Sequence, residues 1–314
     1  MKTLAVDKTV KLKINDSTQQ IRMCAERVGL PPILIVQAGP GFPLLHEVEK
    51  FQQRLNLEKD FTVIYWDQRG CGIASPQDVL GVSLQQQVND LRTVLKWLKI
   101  ETKQTIIVFG VSLGATISLQ AAEHERDNVK AVIAISTDAH IANSDASVLS
   151  FFKAQSVISR NRRLGAKLKK LGDPPYIDSA AFQLRARILA DLGCIEHGRR
   201  FSALFKETLF SLIRTYGLLG TPRALHNMNL VQSKLLPQLV SLNLFSNPLR
   251  LAVPVHYVFG AQDPLIPSEM VKKLPAVIST PTATVRLVND AGHMVHFDQP
   301  SIVRTIVVRA GHEK

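Results

Sequence analysis

Gln104-Thr-Ile-Ile-Val-Phe-Gly110-Val-Ser112-Leu-Gly114-Ala-Thr-Ile-Ser118 is the stretch on which the reading of this 314-residue chain turns. Its first part is apolar and β-type, its middle sets a serine between two glycines, and its last part favours a helix. It reads as strand, sharp turn, helix. A serine at such a turn takes a strained backbone, and the flanking glycines have no Cβ to collide with the neighbouring strand and helix. The strain lifts the Ser112 hydroxyl out of the sheet. A lone glycine-x-serine-x-glycine run also arises by chance, so the surrounding chain must carry the argument.

Upstream, Val6 to Ile14 and Gln20 to Val28 alternate apolar and polar residues and are joined by the turn-forming Asn15-Asp-Ser-Thr18. This predicts an antiparallel hairpin at a sheet edge. Pro31 to Gln37 and Phe61 to Trp66 are continuous apolar runs of the kind buried on both faces of a sheet. The first ends in the tight loop Ala38-Gly-Pro-Gly41, the second in Asp67-Gln-Arg-Gly70-Cys-Gly72. Helices are expected around Leu45 to Leu55, from Gly114 to about Arg126, and along Leu84, Val88, Leu91, Val94, Leu95 and Leu98, which share one face. Val129 to Ile135 adds a strand, and the alternation predicts a mostly parallel sheet with right-handed crossovers.

The alternation stops at about Asp138 and resumes with the strand Pro254 to Gly260. Between them the pattern is helical, with breaks at Gly172-Asp-Pro-Pro175, Gly217 to Pro222 and Asn247-Pro248. The expected architecture is therefore an α/β core over residues 1–137 and 251–314, with residues 138–250 inserted as a helical cap. A helix near Pro267 to Leu274, a strand Ala283 to Val288 and a helix over Ile302 to Ala310 complete the core.

The 38 Lys and Arg outnumber the 26 Asp and Glu, and the excess is local: residues 140–250 hold 16 basic against 6 acidic side chains. Clusters such as Arg160-Asn-Arg-Arg163 lack interleaved aromatics, which argues against nucleic acid as a partner. The excess reads first as solvated helix faces, with attraction of an anionic small-molecule substrate or an acidic partner as the alternative. Three widely spaced cysteines, Cys24, Cys71 and Cys194, form neither a disulfide framework nor a zinc motif. Charges within Met1 to Lys13 and the lack of any eighteen-residue apolar run predict a cytoplasmic protein with no membrane span. No metal or organic cofactor is implied.

Hydrolysis by a serine needs a base for its proton, a carboxylate to orient that base, and donors for the oxyanion. Ser112 follows one strand, Asp263 a later one and His293 the last. Catalytic groups in open α/β sheets gather at such carboxyl ends, so the three can converge. His296 competes with His293 as the base, and Asp290 and Asp138, which could equally cap turns or helices, compete with Asp263. Cys71 reads as a small buried thiol near the site.

In Gln37-Ala-Gly-Pro-Gly41, Asp67-Gln-Arg-Gly-Cys-Gly72 with Ser75, Gly110-Val-Ser-Leu-Gly114, Gly260-Ala-Gln-Asp263 and Gly292-His293, the chain resembles the α/β-hydrolase fold superfamily. Within it, the chain is similar to the proline iminopeptidase-like branch over residues 5–136 and 252–312. The resemblance implies Ser112 as nucleophile, His293 as general base and then acid, Asp263 as its orienting carboxylate, and the backbone N–H groups of Leu113 and Gly39 as the oxyanion hole. Pro40 has no N–H to give.

Two features depart from that branch. Gln37 and Ala38 replace a histidine and a glycine of its loop. Its cap holds a substrate amino terminus with acidic residues among aromatics, whereas this cap is basic, lacks tryptophan, and has Glu196 and Glu207 as its only glutamates. The expected activity is therefore cleavage of a carboxylic ester, or of an amide or lactone, through an acyl-enzyme. Leu149, Phe151, Phe152, Phe205, Leu209 and Phe210 are candidates for the apolar pocket. An iminopeptidase-type aminopeptidase is the second reading and a non-catalytic small-molecule receptor the third.

Overall fold

The strand that leads to Ser112 lies near the middle of an eight-stranded sheet with the order β1-β2-β4-β3-β5-β6-β7-β8. The structure is a computed structural model and describes residues 4–313. Met1 to Thr3, part of the charged opening, lie outside the described residues, as does Lys314.

The strands are β1 (Val6–Ile14), β2 (Ser17–Ala25), β3 (Pro32–Val36), β4 (Thr62–Asp67), β5 (Ile106–Val111), β6 (Val129–Ile135), β7 (Val255–Gly260) and β8 (Ala283–Val288). From β4 across to β8 every pairing is parallel; β1 with β2 and β2 with β4 are antiparallel. The hairpin turn is tighter than its sequence predicts. Ile14 pairs with Ser17, leaving only Asn15 and Asp16 in the loop, with Asn15 at φ 54°. Asparagine tolerates this left-handed conformation, so Ser17 to Gln19 join the strand.

Strands β3, β4, β5 and β7 are buried throughout because helices cover both faces. In β5, Ile106 and Val108 face one apolar cluster, and Ile107, Phe109 and Val111 face the other. Helices α3 (Leu84–Thr102) and α4 (Leu113–Ala122) pack on the first face. Helices α1 (Val48–Arg54) and α11 (Pro300–His312) pack on the second. The short α2 (Pro76–Leu80), absent from the sequence reading, is opened by a capping box between Ser75 and Asp78. Helices α9 (Ser268–Val277) and α10 (Val295–Asp298) complete the core.

Between β6 and β7 run α5 (Ile141–Ser159), α6 (Arg162–Leu171), α7 (Ser179–Asp191) and α8 (Phe201–Leu239). Gly217, at φ 74°, bends α8, and the helix then continues through Pro222. The break expected over six residues is thus a one-residue kink, because glycine alone can take that backbone angle cheaply. This excursion is tied to the core by polar contacts. Tyr216 donates to Asp67 Oδ2 at 2.6 Å, and Asn227 donates to the Gly72 carbonyl at 2.9 Å. Asp67 also takes the Leu44 and Leu45 N–H groups at 2.6 and 2.9 Å, while Arg69 is buried against Asp90. The Asp67 to Gly72 motif is therefore a brace for the loops around the site. No helix among the described residues is long and apolar enough to cross a membrane.

Candidate active site

Ser112 sits between β5 and α4 at φ 55°, ψ −122°, a backbone that strains any residue with a Cβ. The turn survives because its neighbours are bare. A Cβ on Gly114 would lie 2.2 Å from the Val36 carbonyl oxygen, and one on Gly110 would lie 2.5 Å from the Ala115 Cα. The Ser112 N–H is meanwhile secured to the Ile135 carbonyl at 2.8 Å.

The structure brings together the three side chains expected to meet. Ser112 Oγ is 2.9 Å from His293 Nε2, and His293 Nδ1 is 2.7 Å from Asp263 Oδ2. Asp263 Oδ1 takes the Leu265 N–H at 2.9 Å, which fixes the carboxylate in its turn. The His293 loop is anchored by Ser136, whose hydroxyl donates to the His293 carbonyl at 2.8 Å, and by the Cys194 carbonyl, which accepts the His293 N–H at 2.8 Å. Burial works against a charged imidazole here, but the touching Asp263 carboxylate outweighs it and holds His293 above its ordinary value.

His296, the competing base, stands apart from Ser112. It lies in α10, fully buried and stacked on Phe51 with ring centroids 5.2 Å apart. Among the described residues neither of its ring nitrogens has a hydrogen-bond partner, and burial holds it neutral, well below its usual value. Asp290 occupies a left-handed turn at φ 51°. Cys71 is buried, and its thiol is pushed up by that burial.

Gly39 and Leu113, the expected oxyanion donors, lie together beside Ser112: a Cβ on Gly39 would come 3.0 Å from the Leu113 side chain. Gln37 supports this loop in its own way. Its Oε1 accepts the Ala38 N–H at 3.0 Å while its Nε2 donates to Glu47.

Above the serine lies a cavity of about 640 Å³ walled by the loops after β3, β5 and β8 and by α7 and α8. Of the six apolar candidates, Phe205 and Leu209 line it. Phe152 is core and Phe210 is 70% exposed, because a helical pattern fixes which residues share a face and not which neighbour that face meets.

Three groups on the cavity wall have places that sequence reasoning did not foresee. Asp138, weighed there as a competitor of Asp263 or a turn or helix cap, is buried with Oδ2 2.9 Å from Ser112 Oγ. Its position just past β6, on the same sheet edge as the other site residues, was the available signal. Arg185 of α7 is buried beside it, paired with Asp145 and lying over the Phe182 ring at 4.9 Å. Lys50 of α1 contacts Glu196 and lies 2.9 Å from Glu207, and Arg199 pairs with both glutamates. Nothing local in the sequence announces either ion cluster.

These elements make the chain a member of the α/β-hydrolase fold family, whose profile matches residues 31–300. Among curated proteins it is similar to the probable aminopeptidase YbaC of Bacillus subtilis, with 23% identity over 98% of this chain and 96% of that one. Among solved structures it is similar to the proline iminopeptidase of Mycobacterium smegmatis, at TM-score 0.68 and 16% identity over 97% of this chain and 98% of the other. The enol-lactonase of Burkholderia xenovorans superposes at TM-score 0.63 and 16% identity, over 97% of this chain and all (100%) of its own.

Proposed function

We propose that the protein is a serine hydrolase that cleaves a carboxylic ester of a small molecule through an acyl-enzyme, with residues 138–250 as a cap that shapes the pocket. Ser112 attacks the carbonyl carbon while His293 takes its proton and returns it to the departing alcohol. Asp263 keeps His293 in the tautomer whose Nε2 is bare and stabilises the imidazolium as it forms. The backbone N–H groups of Leu113 and Gly39 hold the oxyanion. The same acyl-enzyme serves an amide or lactone.

The reading rests on the continuous contact from Ser112 Oγ through His293 to Asp263, at 2.9 and 2.7 Å, on the floor of a mostly apolar cavity. Arg187 on the cavity wall and the basic cap around it favour substrates bearing negative charge. The test is Ser112→Ala: turnover of short p-nitrophenyl esters falls on the order of 10⁶-fold, and a fluorophosphonate probe labels the native protein alone. Near-native turnover by the variant ends this reading. A native protein that refuses the probe at neutral pH points to a receptor.

Similarity to a probable aminopeptidase supports the second reading, release of an N-terminal proline. Against it, Glu196 and Glu207 are both engaged by Lys50 and Arg199, so a substrate ammonium would have to displace a resident cation. Proline β-naphthylamide assayed beside a butyrate ester separates the two, and a strong preference for the prolyl compound reverses their order.

A further inference from the structure

The Ser112 hydroxyl has one proton, and two groups stand at hydrogen-bond distance from its oxygen. His293 Nε2 and Asp138 Oδ2 are each 2.9 Å from Oγ. Asp263 takes the Nδ1 proton of neutral His293 at 2.7 Å, so Nε2 is bare and can only accept. Were Asp138 a carboxylate, it too could only accept, and the hydroxyl could satisfy one neighbour while leaving the other buried and unpaired.

We propose that Asp138 is a further catalytic residue of this site: its carboxyl group keeps a proton and donates it to Ser112 Oγ, which leaves His293 Nε2 as the acceptor of the serine's own proton. The inference rests on the serine-hydrolase reading and adds a residue to it. A one-way chain then runs from the Asp138 O–H to Ser112 and from the Ser112 O–H to His293. On attack the Oγ–carbon bond forms and the serine proton passes to His293 and on to the leaving alcohol. Asp138 retains its proton throughout. When water later displaces the serine, the same O–H faces the negative charge that builds on Oγ.

The surroundings suit a neutral carboxyl. Asp138 is buried just past β6, and burial pushes it above the usual carboxylate range, with the nearby Asp263 charge acting in the same direction. His293, the Ser112 hydrogen bond and Arg185 act against this. Arg185 already has Asp145 as its partner, and the Thr116 hydroxyl donates to the backbone carbonyl of Asp138 at 2.6 Å, fixing the residue in place. A single proton is thus shared between Asp138 and His293 across Ser112. Only the arrangement with the proton on Asp138 leaves a base. A second proton charges the histidine; removal of the first turns the hydroxyl towards Asp138.

The pH dependence of kcat/KM on a short p-nitrophenyl ester, measured for the native protein, Asp138→Asn and Asp138→Ala, tests this. The native profile is a bell. Asp138→Asn, which donates through its amide and cannot ionise, stays within about tenfold of the native maximum. It loses the high-pH limb, while its low-pH limb stays close to the native one, because Asp138 is already neutral where His293 takes its second proton. Asp138→Ala, with no donor, falls on the order of 10²-fold at the optimum. Three results overturn the inference: a native rate that stays level up to about pH 9, an Asp138→Asn profile that keeps the bell, or Asp138→Asn as inactive as Ser112→Ala, which would make the carboxylate a base. The native profile decides alone if the variants do not fold. A native protein that neither turns over the ester nor takes a fluorophosphonate instead sinks the hydrolase reading beneath it.

Discussion

At the scale of single residues the site depends on missing methyl groups and on one buried neutral ring. Gly114→Ala places a Cβ against the Val36 backbone carbonyl at 2.2 Å, and backbone cannot swing aside as a side chain does. The variant is expected to lose on the order of 4 kcal/mol of stability, read as a drop in urea midpoint; an unchanged midpoint refutes the packing argument. His296 supplies a pH effect. Its folded pKa lies below its unfolded one, so its contribution to stability is present above about pH 6.5 and is lost as pH falls towards the folded value. His296→Phe, which preserves the stack on Phe51, should therefore narrow the fall in Tm between about pH 7 and about pH 5. An equal fall in both proteins counts against it. Ser112, Asp263 and His293 were legible in the sequence because each stands where a strand ends. The choice of His293 over His296 came from likeness to known motifs. No pattern in the residues says that His296 packs flat on Phe51.

At the scale of elements, alternation along β5 assigns each side chain to one face of the sheet, and the helices supply what it meets. Phe109, fully buried between Phe51 and His296, is expected to cost about 3–5 kcal/mol when cut to alanine. The bend in α8 matters for a different reason. It follows Tyr216, which reaches back to the buried Asp67, and Tyr216→Phe leaves Asp67 Oδ2 short of a donor at a cost of about 1–3 kcal/mol. Chemical denaturation of that variant measures the tie between excursion and core, and no loss would show it to be slack. Strand and helix types were readable because periodicity is local. The tight hairpin turn, the added helix after Ser75 and the single-residue kink were misjudged or missed, since each depends on one or two backbone angles.

At the scale of the whole molecule, residues 140–250 carry an excess of positive charge and supply Arg185 and Arg187 to the wall of the cavity where chemistry is proposed. If that charge draws substrate in, kcat/KM for a negatively charged ester such as a succinate half-ester falls severalfold between about 20 mM and about 500 mM salt, while a neutral butyrate ester is little affected. Equal salt dependence for both would leave the basic surface without a part in catalysis. The sequence by itself determined the order of elements, the strained serine turn and the kinds of side chain at the strand ends, because each is set by neighbours a few residues away. Only the tertiary structure decided that Asp138 meets Ser112, that Lys50 and Arg199 pair with Glu196 and Glu207, and that Arg185 is buried on the wall of the same cavity. Those contacts join positions far apart in the chain, and they exist because parallel crossovers bring strand ends to one edge and the helical excursion folds back over it.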